Sequence, residues 1–180
     1  MEPSHTWQDF EKALTGGHPN SLGNTEAVVA EVLEQPQKVE ALYQCYKSTD
    51  EVVRLRVSNA MKRLAKAQPE LLHPYIDRFL SEVAAIKQAS AQWTLAQLIL
   101  SWRKQLSPEQ QQRAVEHLRH NLAFHQDWIV LNTTMETLAH FAKTDTELKT
   151  WMKPQIAQLI TETRKSVAGR ARKTWKALGY

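Results

Sequence analysis

The chain has 180 residues, of which 42% are apolar and 23% charged, and its formal net charge is +4. This composition is typical of one globular domain and excludes a largely disordered chain. No run approaches the roughly 18 apolar residues of a membrane span, and no basic segment leads into an apolar run at the N-terminus. Because Cys45 is the single cysteine, no internal disulfide is expected. We therefore expect a cytoplasmic protein without a membrane partner.

Glycine is confined to the two ends of the chain, and residues 24–168 contain none. The five glycines are Gly16, Gly17, Gly23, Gly169 and Gly179. A phosphate-binding loop needs glycine for close backbone approach, and tight hairpins need residues with positive φ. The sequence therefore excludes Rossmann, P-loop and kinase-like folds and favours an all-α fold.

Helical periodicity begins near the N-terminus. A short helix is expected around Trp7, Phe10 and Leu14, which share one face, and a linker follows at 15–23. Nine further helices are predicted at 25–34, 37–47, 51–66, 70–84, 88–103, 108–123, 127–142, 146–161 and 166–177. Capping boxes are predicted at Ser48, Ser107 and Thr144, because Glu or Gln follows each hydroxyl three residues later. We expect an N-terminal helix and linker at 1–23 and a helical-repeat domain at 24–180.

An internal repeat narrows the choice among helical folds. Segment 71–80 aligns with 151–160 at an offset of 80 residues, each with an apolar pair, a spacer, a proline, an isoleucine and a second apolar pair. Two units of forty residues match the HEAT and armadillo period. A similar apolar ladder relates 53–64 to 167–178. The repeat predicts burial of Val53, Val57, Met61, Ile76, Phe79, Ile156, Leu159, Ala171 and Trp175.

Two segments resemble the second helix of a HEAT repeat. Residues 50–61 have an acidic turn followed by a valine–arginine pair and alanine, and residues 166–173 are similar. Over residues 21–178 the chain resembles small bacterial HEAT-repeat proteins. This resemblance implies an all-α, right-handed solenoid of about four helix pairs, with the second helices lining a concave face. It implies no particular activity.

A single cysteine and one group of histidines are expected to have ordinary structural roles. Cys45 occupies the core position of Phe79 and Leu159 in its own repeat, so a buried thiol is expected rather than a nucleophile. A second group contains His117, His120, His125 and Asp127. The chain has none of the His-Glu pairs of HEAT-repeat di-iron hydroxylases, so we expect a solvated helix face and no metal or cofactor.

The candidate site is a cluster projected onto the concave face. The last helix is basic, since residues 163–180 contain six cations and no acid, and Trp93 projects away from the core stripe. An exposed tryptophan beside cations is a typical anchor for a partner. The predicted partner-binding residues are Arg56, Asn59, Trp93, Thr133, Arg170 and Lys173.

The preferred function is a non-catalytic interaction module that binds a protein or peptide along the concave face. The alternative is nucleic-acid binding, distantly like the helical-repeat glycosylases that excise alkylated bases. Such an enzyme needs a carboxylate beside an aromatic residue in a basic groove. Asp127–Trp128 is a neighbouring pair of this type, and no basic groove surrounds it in the sequence. A third hypothesis is assembly with copies of the same chain.

Overall fold

The computed structural model describes residues 6–180, and all regular structure in that range is helical, without a strand. The predicted all-α fold is therefore confirmed. The α-helices are α1 (Trp7–Leu14), α2 (Thr25–Glu34), α3 (Val39–Gln44), α4 (Glu51–Ala67), α5 (Ile76–Arg78), α6 (Ala89–Trp102), α7 (Pro108–Phe124), α8 (Trp128–Phe141), α9 (Thr146–Ile160) and α10 (Lys165–Leu178). Among these described helices, none combines the length and apolar character that crossing a bilayer requires.

The helix predicted at 70–84 is irregular. It consists of a 3₁₀ segment, Pro69–Tyr75, then α5 and a π-helical turn, Phe79–Val83. Pro74 lies inside the 3₁₀ segment and has no amide hydrogen to donate. Its repeat equivalent, Pro154, is instead accommodated within the regular helix α9. The repeat therefore conserves the proline but not the helix type around it.

Two of the three helices predicted to start with a capping box have an aspartate as the N-cap instead. The box predicted at Ser107 is confirmed, because its hydroxyl accepts from the amide three residues later at 3.2 Å. The boxes predicted at Ser48 and Thr144 are wrong. The caps are Asp50 and Asp145, whose carboxylates accept helix amides at 2.8 and 2.9 Å. A charged acceptor makes the stronger hydrogen bond, so the nearby acid replaces the hydroxyl.

The chain forms two compact units, with the division inside α6. The first unit ends at Thr94 and the second comprises Leu95–Tyr180. The boundary predicted between residues 23 and 24 lies inside the first unit. There, α4 packs against α1 and α2, and α1 packs against α3. In the second unit, α8 packs against α7 and α10, and α10 also packs against α9.

Most of the predicted core is buried. Seven of the nine predicted residues are buried: Val53, Val57, Met61, Ile76, Phe79, Ile156 and Ala171. Leu159 and Trp175 are only half-buried, so their predicted burial is wrong. Trp175 instead contacts Tyr180 edge-on, with ring centroids 5.0 Å apart. Both half-buried residues lie in the last helix pair, which packs against earlier helices on one side.

A buried arginine fixes the segment between α1 and α2. Arg56 is 2% exposed, and its guanidinium donates to the carbonyl oxygens of Leu14 at 2.6 Å and Gly16 at 2.5 Å. Two longer hydrogen bonds reach the carbonyls of His18 and Ser21 at 3.3 and 3.2 Å. A buried cation is stable only when its donors are satisfied, and here the backbone carbonyls satisfy them. The predicted linker is therefore anchored to α4.

Replacing Arg56 with methionine is expected to lower the free energy of unfolding by about 3 kcal/mol, because several carbonyls lose a charged donor. The measurement is urea denaturation followed by circular dichroism. Arg63→Met is the control, since this arginine lies on the same helix with its side chain 41% exposed. Equal stability of the two variants would contradict the anchoring role of Arg56.

Cys45 is a core residue, as predicted. It is fully buried, and its Sγ donates to the carbonyl of Trp7 at 3.3 Å. Burial, with a smaller contribution from Glu11, raises the pKa of the thiol to about 12. Since the thiolate is the reactive form, a thiol reagent should label the folded protein slowly and the unfolded protein rapidly. Fast labelling without denaturant, followed by mass spectrometry, would show that this interpretation is wrong.

Candidate functional site: a basic cleft in the second unit

The second unit brings α8 and α10 side by side. Asp127 begins α8, and its Oδ1 accepts from the amides of Ile129 and Val130 at 2.8 and 3.0 Å. The side-chain amide of Asn132 donates to Ser166 Oγ at 2.7 Å and ties the start of α10 to α8. The Asn132–Ser166 contact thus places the start of α10 beside the first turns of α8.

Between these helices lies a cleft of about 160 Å³. Glu136 and His140 line it from α8, four residues apart on one helix face, and Lys143 lines it from the turn that follows α8. Arg170 and Lys173 line it from α10, again three residues apart. We call these five side chains the basic cleft: three permanent cations, one histidine and one carboxylate.

The carboxylate of the basic cleft is held loosely. Arg170 Nη2 lies 3.6 Å from Glu136 Oε2, which is beyond ordinary hydrogen-bond length, and the two side chains are 36% and 44% exposed. Exposed ion pairs of this kind contribute about 1 kcal/mol or less. The structure shows no hydrogen bond from Arg170 to any described residue. Its guanidinium is therefore partly open to solvent.

His140 experiences a positive field in the basic cleft. Its pKa lies below the usual histidine value, first because of burial and then because of Lys143 and Arg103, while Glu136 opposes the shift. A neutral imidazole beside fixed cations binds an anion but does not neutralise one. The arrangement as a whole is suited to holding carboxylate or phosphate groups by charge-assisted hydrogen bonds.

The predicted residues of the first unit do not form an open binding surface. Arg56 was predicted to face a partner, and this prediction is wrong because its guanidinium is buried against backbone carbonyls. Asn59 accepts a hydrogen bond from Arg63 Nε at 2.7 Å. Trp93 is half-buried. Arg56 acts as a structural anchor for residues 14–21.

Two of the three predicted residues of the second unit lie together. Arg170 and Lys173 both line the basic cleft. Thr133 is 8% exposed, and its hydroxyl donates to the carbonyl of Ile129 in its own helix at 2.9 Å, so it does not contribute. Sequence reasoning missed the α8 residues of the cleft. The available signal was the spacing of Glu136 and His140, which stand four residues apart on one face of α8, with Lys143 just after that helix.

The histidine cluster has no metal-binding geometry among residues 6–180, where no group of three His, Cys, Asp or Glu side chains could hold an ion. Asp127 caps α8, as described above. His125 Nδ1 accepts from the amide of the same aspartate at 3.0 Å. Burial, and then the nearby His120 and His125, lowers the pKa of His117 to about 4.

This burial predicts an acid-sensitive second unit. Between the ordinary histidine pKa of 6.5 and about 4, the unfolded chain binds a proton that folded His117 does not. Stability should therefore fall as the pH falls through this window, by about 2 kcal/mol. Urea denaturation at both ends of the window measures this loss. His117→Gln should remove most of it, whereas His18→Gln, at an exposed position in the first unit, should not.

Comparisons with known proteins concern the fold alone. No family model matches the chain, and a search of curated proteins returned no match. Among solved structures, the chain is similar to the crystal structure of an engineered protein from the Northeast Structural Genomics Consortium. The two chains are 18% identical with a TM-score of 0.57, and the alignment covers 96% of this chain and 79% of the other. At this identity the likeness carries no information about activity.

Proposed function

We propose that the protein is a non-catalytic interaction module that binds an acidic segment of a partner protein in the basic cleft. The observation that carries this proposal is the meeting of Lys143, Arg170, Lys173 and His140 around one cleft with a single, loosely paired carboxylate. Cations contributed by α10 and by the turn after α8 converge on one cleft and create a directional anion site, whereas cations along one helix give only a charged surface.

We also propose a HEAT-like, right-handed solenoid as the scaffold. In the second unit α7 pairs with α8 and α9 with α10, while α8 also packs against α10. Pairing of consecutive helices combined with stacking of the second helices is the contact pattern of two adjacent repeats. The fully buried pairs Val53–Val57 in α4 and Val167–Ala171 in α10 support the same repeat register.

No catalytic role is proposed, and a cytoplasmic location remains our expectation. The carboxylate–aromatic pair of interest was Asp127–Trp128, in which Asp127 caps a helix and Trp128 is 48% exposed. Cys45 is buried with a raised thiol pKa. Neither the Asp127 carboxylate nor the Cys45 thiol has the environment of an activated base or nucleophile.

Nucleic-acid binding is the second candidate. It is favoured by two exposed aromatic residues at the turn between α7 and α8, Phe124 at 68% and Trp128 at 48% exposure. Exposed aromatic rings stack on bases without sequence preference, and nearby cations bind the backbone. A nucleic-acid ligand would use charge over the whole of α10 rather than the basic cleft alone.

Charge reversal distinguishes these two ligands. Arg170→Glu combined with Lys173→Glu should weaken binding of a fluorescein-labelled oligo-aspartate peptide by about tenfold or more, because both cations of α10 in the cleft are lost. Fluorescence anisotropy measures the affinity. The matched control is Arg172→Glu with Lys176→Glu, which makes the same charge change at exposed positions of α10 outside the cleft lining.

The two double variants give different results for the two functions. If the cleft recognises the peptide, the Arg170→Glu, Lys173→Glu variant loses peptide affinity and the control variant binds the peptide nearly as tightly as the parent. An equal loss of peptide affinity in both double variants would favour the nucleic-acid function, if the parent also binds single-stranded DNA tightly and with a strong salt dependence. No measurable peptide binding by the parent would contradict the proposed function. Circular dichroism checks that each variant remains helical.

A further inference from the structure

Arg56 and Arg170 occupy the same position in two equivalent helices. Each stands five residues after the first residue of its helix, Glu51 in α4 and Lys165 in α10. The apolar positions three residues before and one residue after each arginine are fully buried: Val53 and Val57 in α4, and Val167 and Ala171 in α10. Helical geometry therefore directs the two arginine side chains from the same face of their helices.

At the first of these positions the arginine binds a peptide segment of the chain itself. The guanidinium of Arg56 donates to the carbonyls of residues 14, 16, 18 and 21, at distances of 2.5–3.3 Å. This segment is irregular rather than helical, and Gly16, Gly17 and Gly23 within or beside it have positive φ. A Cβ on Gly23 would lie 2.9 Å from the guanidinium carbon of Arg56, so the backbone approaches the cation closely.

At the second position, no irregular segment within residues 6–180 supplies carbonyl oxygens to Arg170. Arg170 faces Glu136 at 3.6 Å, and its side chain is 36% exposed, whereas Arg56 is 2% exposed. The guanidinium has five N–H donors in a rigid fork, which suits several backbone oxygens or a carboxylate. The open cleft therefore presents the donor group that the first unit uses to hold an irregular peptide.

We propose that the basic cleft binds an irregular, non-helical acidic peptide of a partner protein, with backbone carbonyl and carboxylate oxygens on the Arg170 fork, as residues 14–21 bind Arg56. This inference rests on the proposed function and specifies its ligand. The peptide displaces the weakly held Glu136, and Lys143 and Lys173 pair with the acidic side chains. A helical peptide is a poor ligand, because most of its carbonyls already accept hydrogen bonds within the helix.

The first test separates the shape of the guanidinium from its charge. The probe is a short fluorescein-labelled peptide of alternating aspartate and glycine, measured by anisotropy. Arg170→Lys keeps the charge but loses the fork, and should weaken binding about fivefold or more. Arg172→Lys, the same substitution at an exposed position of α10 outside the cleft lining, is the control and should bind within about twofold of the parent. Equal affinity of Arg170→Lys and the parent overturns the inference while leaving the proposed function intact.

The second test concerns the conformation of the ligand. A glutamate–alanine peptide of the same length and net charge forms helix readily, and the inference predicts that it binds more weakly than the aspartate–glycine peptide. Tighter binding of the helical peptide overturns the inference but is consistent with acidic-peptide binding. Failure of the parent to bind either peptide overturns both the inference and the proposed function.

Discussion

The first unit depends on how a permanent positive charge is accommodated away from water. An arginine side chain loses much hydration when it is buried, so the protein must supply oxygen atoms that point at its donors. Residues 14–21 supply backbone carbonyls for Arg56, which constrains the route of the chain from α1 to α2. The glycines of this segment permit that route because they allow positive φ. Helix packing then places Phe10 and Leu14 in the core beside α4.

In the second unit, the arginine at the equivalent helical position has a different environment. Arg170 remains partly solvated, and Lys173 of α10 and Lys143 of the turn after α8 line the same cleft. Similar helix geometry thus gives a buried anchor in one unit and a partly exposed guanidinium in the other. The difference arises from what lies opposite the arginine: an irregular chain segment for Arg56 and another helix for Arg170.

The helical pattern could be predicted from the sequence because apolar spacing reports helix faces directly. Val53, Val57 and Ala171 were predicted to be buried for this reason, and they are. The fate of Arg56 could not be predicted in this way, because it depends on tertiary contacts with residues about forty positions earlier. Similarly, the pairing of α8 with α10 determines that Arg170 meets Glu136, and periodicity within one helix does not reveal which faces meet.

The environment of His140 has a consequence for the energetics of ligand binding. Lys143 and Arg103 disfavour the charged imidazolium in the empty cleft, and a bound anion offsets that repulsion. In the proposed complex the pKa of His140 is therefore higher than in the free protein, so binding takes up a fraction of a proton. By thermodynamic linkage, affinity for an acidic ligand increases as the solution becomes more acidic. The heat of binding measured by calorimetry consequently depends on the ionisation enthalpy of the buffer.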